Sequence, residues 1–106
     1  MSSSRLKTYA AVTVGTAAAE IFDSTEHGVT TLILLAPSAN PGTIYVGDSD
    51  VDASVARGIP LVAGASVTLT SDQARGGGTQ LLALSGMWAD ATAANCTLNI
   101  TAIATD

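Results

Sequence analysis

Residues 43–69, TIYVGDSDVDASVARGIPLVAGASVTL, carry the pattern that decides the fold. A short apolar run, Thr43-Ile44-Tyr45-Val46, stops at Gly47 and gives way to an acidic loop at 48–58. Ile59-Pro60-Leu61-Val62 and a turn at Ala63-Gly64 then lead into a strictly alternating segment. There Ala65, Val67 and Leu69 fall on one side and Ser66, Thr68 and Thr70 on the other. Period-two alternation with one polar face predicts an antiparallel strand that has one side on a core and the other in water.

Upstream, residues 29–36, VTTLILLA, are apolar on both alternating faces, which predicts a central strand covered on both sides. The PSANPG cluster at 37–42 reads as a turn. Residues 7–14 alternate and predict one strand, preceded by a short polar tail at 1–4 that nothing local holds in place. Residues 16–22 are alanine-rich and too short for a stable helix, so they predict a brief strand or a single turn before a polar loop at 23–28.

Downstream, 71–79 contains three consecutive glycines and predicts a flexible loop, followed by a short apolar strand at 80–85. Residues 86–95, with Met87, Trp88, Asp90 and several alanines, are mixed and suit a loop or one helical turn. The last strand alternates Cys96, Leu98, Ile100 and Ala102 against Thr97, Asn99 and Thr101. Seven or eight short strands separated by turn signals, with no strand-helix-strand rhythm, predict one all-β domain over 5–106. The expected architecture is an antiparallel β-sandwich, the jelly roll being one of its forms.

Composition narrows the function. At 106 residues one domain with one core is expected. Charged residues are only 12% of the chain, about half the usual share, so Thr, Ser, Asn, Gly and Ala must cover much of the surface. That suits an all-β protein or one that hides its outside against partners. A net charge of -5, with Arg5, Lys7, Arg57 and Arg75 as the only cations and scattered along the chain rather than clustered, argues against nucleic acid and anionic membranes. MSSSRLKTY lacks the apolar core of a secretory signal, and no apolar run reaches the roughly 20 residues of a membrane span, so synthesis in the cytoplasm without export is expected.

Few residues could carry chemistry. Asp48, Asp50 and Asp52 alternate as calcium-loop carboxylates do, but an EF-hand needs Gly at its sixth position and Glu at its twelfth, where this chain has Ala53 and Ile59. Three carboxylates keeping an exposed loop solvated is the simpler account. His27 is the single histidine and has no nucleophile-elbow motif to serve. Cys96, the single cysteine, opens an apolar strand face and reads as a core residue. Gly76-Gly77-Gly78-Thr79 lacks the lysine of a phosphate loop. Asn95-Cys96-Thr97 and Asn99-Ile100-Thr101 match the glycosylation triplet but belong to the strand alternation. Trp88 suits either a plug at one end of the core or an anchor for a partner. No enzyme activity and no cofactor are expected, and Asp48, Asp50, Asp52 and Trp88 are the candidate partner contacts.

The layout Thr43-Ile44-Tyr45-Val46-Gly47, a polar loop carrying Val51, Gly58-Ile59-Pro60-Leu61, Ala63-Gly64 and Ser66-Val67-Thr68-Leu69 resembles small β-sandwich virion proteins of tailed bacteriophages. Leu81-Leu82-Ala83-Leu84-Ser85 and the final strand fall where such proteins place theirs, so the resemblance covers half to two thirds of the chain. It departs from them in the longer, acidic loop at 48–57. It implies a capsid decoration or cement protein on the outside of the virion, bound to the major capsid protein and to sister subunits. A homo-oligomer is implied, with a trimer matching a threefold capsid site. The alternative it leaves open is a head- or tail-associated module that recognises a host surface glycan.

Overall fold

The computed structural model describes residues 4–22, 30–70, 84 and 86–105. Nine strands occur among them: β1 Ser4–Thr8, β2 Val12–Val14, β3 Ala19–Glu20, β4 Thr31–Leu35, β5 Ile44–Gly47, β6 Ile59–Leu61, β7 Ser66–Thr70, β8 Trp88–Ala91 and β9 Cys96–Thr105. One 3-10 turn, Ala53–Val55, interrupts the acidic loop. The strands form two antiparallel sheets, one in the order β1-β9-β4-β7 with β2 also on β9, the other in the order β3-β8-β5-β6. This is the all-β sandwich that alternation predicts.

The core lies between the sheets. Leu32, Leu34 and Ala36 from β4 and its end, and Cys96, Leu98, Ile100 and Ala102 from β9, face Ile44, Val46, Leu61, Ala89 and Ala91 from the second sheet. Each large aliphatic side chain buried this way contributes about 1.5–3 kcal/mol. Alternation on β9 and on β7 falls as the sequence predicts, with Val67 and Leu69 packed against the core and Ser66, Thr68 and Thr70 exposed.

The segment expected as one strand over 7–14 is broken into β1 and β2. Both pair with β9, but Thr8 stands opposite Thr101 and Val12 opposite Leu98, so one extra residue is accommodated at Tyr9-Ala10-Ala11. This is the geometry of a β-bulge, and it resets the alternation. Tyr9 therefore turns toward the core with Val12 and Val14 rather than away from them, and its ring meets Phe22 edge-on at 5.3 Å. Ser4, expected in the tail, is the first residue of β1.

Two further expectations change. β4 is central in its sheet, but only one face is covered: Leu32 and Leu34 are fully buried, whereas Ile33 is half-buried and Leu35 is 39% exposed. Within 86–95, expected as loop or helical turn, Trp88–Ala91 forms β8 between β3 and β5. Alanine favours helix locally, yet here Ala89 and Ala91 are buried in the core between the sheets, and cross-strand pairing overrides propensity. The predicted strand at 80–85 lies outside the described residues except for Leu84, which is buried in the core. The loops at 23–28 and 71–79 lie outside them as well.

Candidate functional site

The acidic loop at 48–58 is the part of the chain with the most polar organisation, and it is built from local hydrogen bonds. Asp48 Oδ1 accepts the N–H of Asp50 at 2.9 Å, and the Asp48 carbonyl accepts the N–H of Val51 at 3.0 Å. Asp52 caps the 3-10 turn, its Oδ1 accepting both the N–H of Ser54 at 3.0 Å and the hydroxyl of Ser54 at 2.7 Å. The Asp52 and Arg57 main chains bond each other in both directions, closing the loop at its base. Those hydrogen bonds to the charged form, with the Arg57 charge nearby, hold the Asp52 carboxyl below the usual carboxylate range.

The loop is also anchored to the sandwich. Val51 and Ala53 are buried, and Val51 fills the space beside Gly47 and Gly58. Gly58 has φ +128°, and a Cβ there would stand 2.7 Å from the Val51 side chain and 3.0 Å from the Val46 carbonyl oxygen, so close approach as well as conformation requires glycine. Asp90 on β8 completes the anchor. It is the single buried charged residue among the described ones; its Oδ2 accepts the N–H of Ala53 at 2.8 Å, and its Oδ1 accepts the N–H of Ala91 at 2.9 Å. The loop expected to be exposed and solvated is therefore part of the fold, because an apolar plug and a buried acceptor tie it to the sandwich.

Of the candidate contact residues, Asp48 and Asp50 are exposed and Asp52 partly so. Their carboxylates are directed to separate local donors where any bond is formed, and among the described residues no three His, Cys, Asp or Glu side chains are grouped to hold a metal ion. Trp88 is half-buried and lies outside the core cluster; it pairs with Glu20 and Gly47 across the sheet and alternates with buried Ala89. It shares the outer face of the second sheet with Tyr45, whose cross-strand partners are Asp90 and Pro60. Cys96 is fully buried, with its Sγ 3.4 Å from the Ala93 carbonyl oxygen. His27 and Gly76, Gly77 and Gly78 lie outside the described residues.

Sequence reasoning missed two positioning residues. Asp90 was unreadable because its strand was, and nothing local distinguishes it from a solvated aspartate. Asn40, in the turn before β5, bonds the main chain of Thr97 in both directions, its Nδ2 donating to the carbonyl at 2.9 Å and its Oδ1 accepting the N–H at 2.8 Å. Its signal was present as an Asn between two prolines, a turn mark that does not reveal its partner. Among the described residues no helix is long and apolar enough to cross a membrane. The chain matches no family model, no curated protein and no solved structure.

Proposed function

We propose that this chain is a structural virion protein of a tailed bacteriophage, a decoration or cement protein that binds the outside of the capsid as a homo-oligomer. Its partners in this reading are the major capsid protein and sister subunits, a trimer matching a threefold site. The observation that carries it is the strand order. With β1 and β2 taken as one bulged strand, first pairs with last, second with second-last, and so inward to β5 with β6, while the third and fourth also pair with the last and second-last. That is a long antiparallel hairpin rolled into two sheets, the winding of a jelly roll, an architecture that recurs in viral capsid and lectin domains. Fold alone does not assign function, so the virion assignment rests on this winding together with the sequence resemblance.

The surface agrees with a burying role. The outer face of the first sheet presents Leu35, Ile33 and Leu6 among Ser and Thr side chains, a low-charge surface of the kind a shell contact covers. Purified protein is expected to bind expanded capsids that lack it and to raise their melting temperature. Failure of both overturns the proposal.

One observation favours a second reading, a head- or tail-associated module for a host surface glycan. Trp88 lies outside the core on the same sheet face as Tyr45 and beside the acidic loop, and aromatic rings next to carboxylates are a common way to grip a sugar. Glycan-array binding that is lost on Trp88→Ala or Tyr45→Ala would select this reading over the first.

A further inference from the structure

Each sheet of an open sandwich ends in edge strands whose free main-chain groups invite pairing, and proteins normally guard them. Three of the four edges here are guarded. The β1–β2 edge carries Arg5 and Lys7 and is broken by the bulge at Tyr9-Ala10-Ala11. β3 is only two residues long and includes Glu20. β6 has Pro60 at its centre, which supplies no N–H. β7, Ser66-Val67-Thr68-Leu69-Thr70, has no charge, no proline and no glycine, and among the described residues it pairs on one side only, with β4.

The phase of that pairing determines what the free side offers. The N–H of Ala36 donates to the carbonyl of Ala65 at 2.9 Å, in the same register as the β4–β7 pairs. Hydrogen-bonded pairs recur at every second residue, so Val67 and Leu69 spend their main-chain groups on β4. The N–H and C=O of Ser66, Thr68 and Thr70 consequently point away from β4, to the side on which no described strand lies. A second copy turned about a two-fold axis at Thr68 sets Ser66 opposite the partner's Thr70 and Thr68 opposite the partner's Thr68, so these outward groups satisfy one another throughout.

Side chains fit the same arrangement. Val67 and Leu69 face the core yet remain half-exposed, and the two-fold register places Val67 against the partner's Leu69 on that face. Two of the five large exposed apolar side chains among the described residues lie beside this strand: Leu35 is the cross-strand partner of Ser66, and Val62 is in the turn that leads into β7, its carbonyl accepting the N–H of Ala65. The chain as a whole carries -5, so two copies repel over most of their surfaces, and an uncharged strand is the place where they can meet.

We infer that β7 is a homotypic docking edge, through which two copies of this chain join antiparallel into one continuous sheet. The contact does not depend on the capsid reading. It is two-fold, so it gives a dimer alone and a pair of trimers where a threefold contact is also made.

Sedimentation equilibrium of the full chain from about 1 µM to 1 mM tests it, with Thr68→Lys and Thr68→Pro as variants and Thr13→Lys on exposed β2 as the control. The Thr68 N–H is not used by β4, so proline there removes an outward donor without breaking the native ladder, and lysine leaves every main-chain bond in place. The expected result is an even-numbered assembly in the parent and Thr13→Lys, halved in mass in both Thr68 variants, with far-UV circular dichroism unchanged in Thr68→Lys. A monomer at every concentration, or a mass that Thr68→Lys leaves unaltered, overturns the inference. If Thr68→Pro does not fold, Thr68→Lys decides alone.

Discussion

Asp90 on β8 and Ala53 in the acidic loop, 37 residues apart, are joined by a buried hydrogen bond of 2.8 Å from the Ala53 N–H to the Asp90 carboxylate. Asp90→Ala leaves that N–H with no acceptor where water has little access, a loss of about 1–3 kcal/mol. Asp90→Asn keeps one acceptor oxygen and is expected to lose less. Urea denaturation gives the order parent, Asn, Ala, and hydrogen exchange at the Ala53 amide accelerates in the Ala variant. Equal stability of all three would show that the loop is not anchored through Asp90.

Asn40 acts as a spliced piece of strand, giving Thr97 both a donor and an acceptor from one side chain. Asn40→Ala removes both at once and is expected to destabilise by about 1–3 kcal/mol. Asn40→Asp keeps the acceptor for the Thr97 N–H but sets a carboxylate against the Thr97 carbonyl, so it recovers little. Thermal melts of the two variants check this, and an Asp variant as stable as the parent would contradict the two-way bond.

What the sequence made legible follows from where the forces act. β7 and β9 were readable because each has one face on the core and one in water, so alternation records burial directly. β4 was readable as a strand but not as half-covered, since apolar residues on its outer face look alike whether protein or solvent lies beyond them. β8 was hidden because the core demands small residues there, and Ala89 and Ala91 carry no strand preference of their own. The loop at 48–58 reads as a solvated surface loop because its three aspartates dominate its composition. Its attachment depends on Val51 as a plug and on Asp90 from a distant strand, a long-range relation that no local pattern expresses.

The Asp52 carboxyl is held below its ordinary range by the Ser54 hydroxyl, the Ser54 N–H and, to a lesser extent, Arg57. A depressed folded-state value means that the folded protein binds this proton less readily than the unfolded chain does. The associated stability is therefore present at neutral pH and lost as pH falls through the carboxylate range to the folded value. Ser54→Ala removes the larger bond and keeps the N–H, so the Asp52 titration midpoint, followed by carboxyl NMR, is expected to rise partway toward the ordinary value. The stability gap between parent and variant is expected to be widest near neutral pH and to close below the carboxylate range. A midpoint that does not move would assign the depression to another group.

Two residues at the end of the loop, Ala56 and Gly58, both hold a positive φ, and only one of them is glycine. Ala56 closes the 3-10 turn with φ 56° and ψ 41°, the left-handed region where a Cβ costs about 1–2 kcal/mol, and the residue is exposed. Ala56→Gly relieves that strain, while the added freedom of the unfolded chain returns about 0.4–1 kcal/mol, leaving a net gain of about 0.5–1 kcal/mol. For a domain of this size that is a melting temperature higher by about 2–6 °C. Gly58→Ala runs the other way, because φ is +128° and the new Cβ would press on Val51 and on the Val46 carbonyl, so Val51 must leave its place for the chain to close. Calorimetry of the pair is expected to show the first variant melting above the parent and the second below it. If Ala56→Gly melts lower, the turn is held by its left-handed alanine rather than strained by it, and the Asp52 cap alone does not set the shape of the loop.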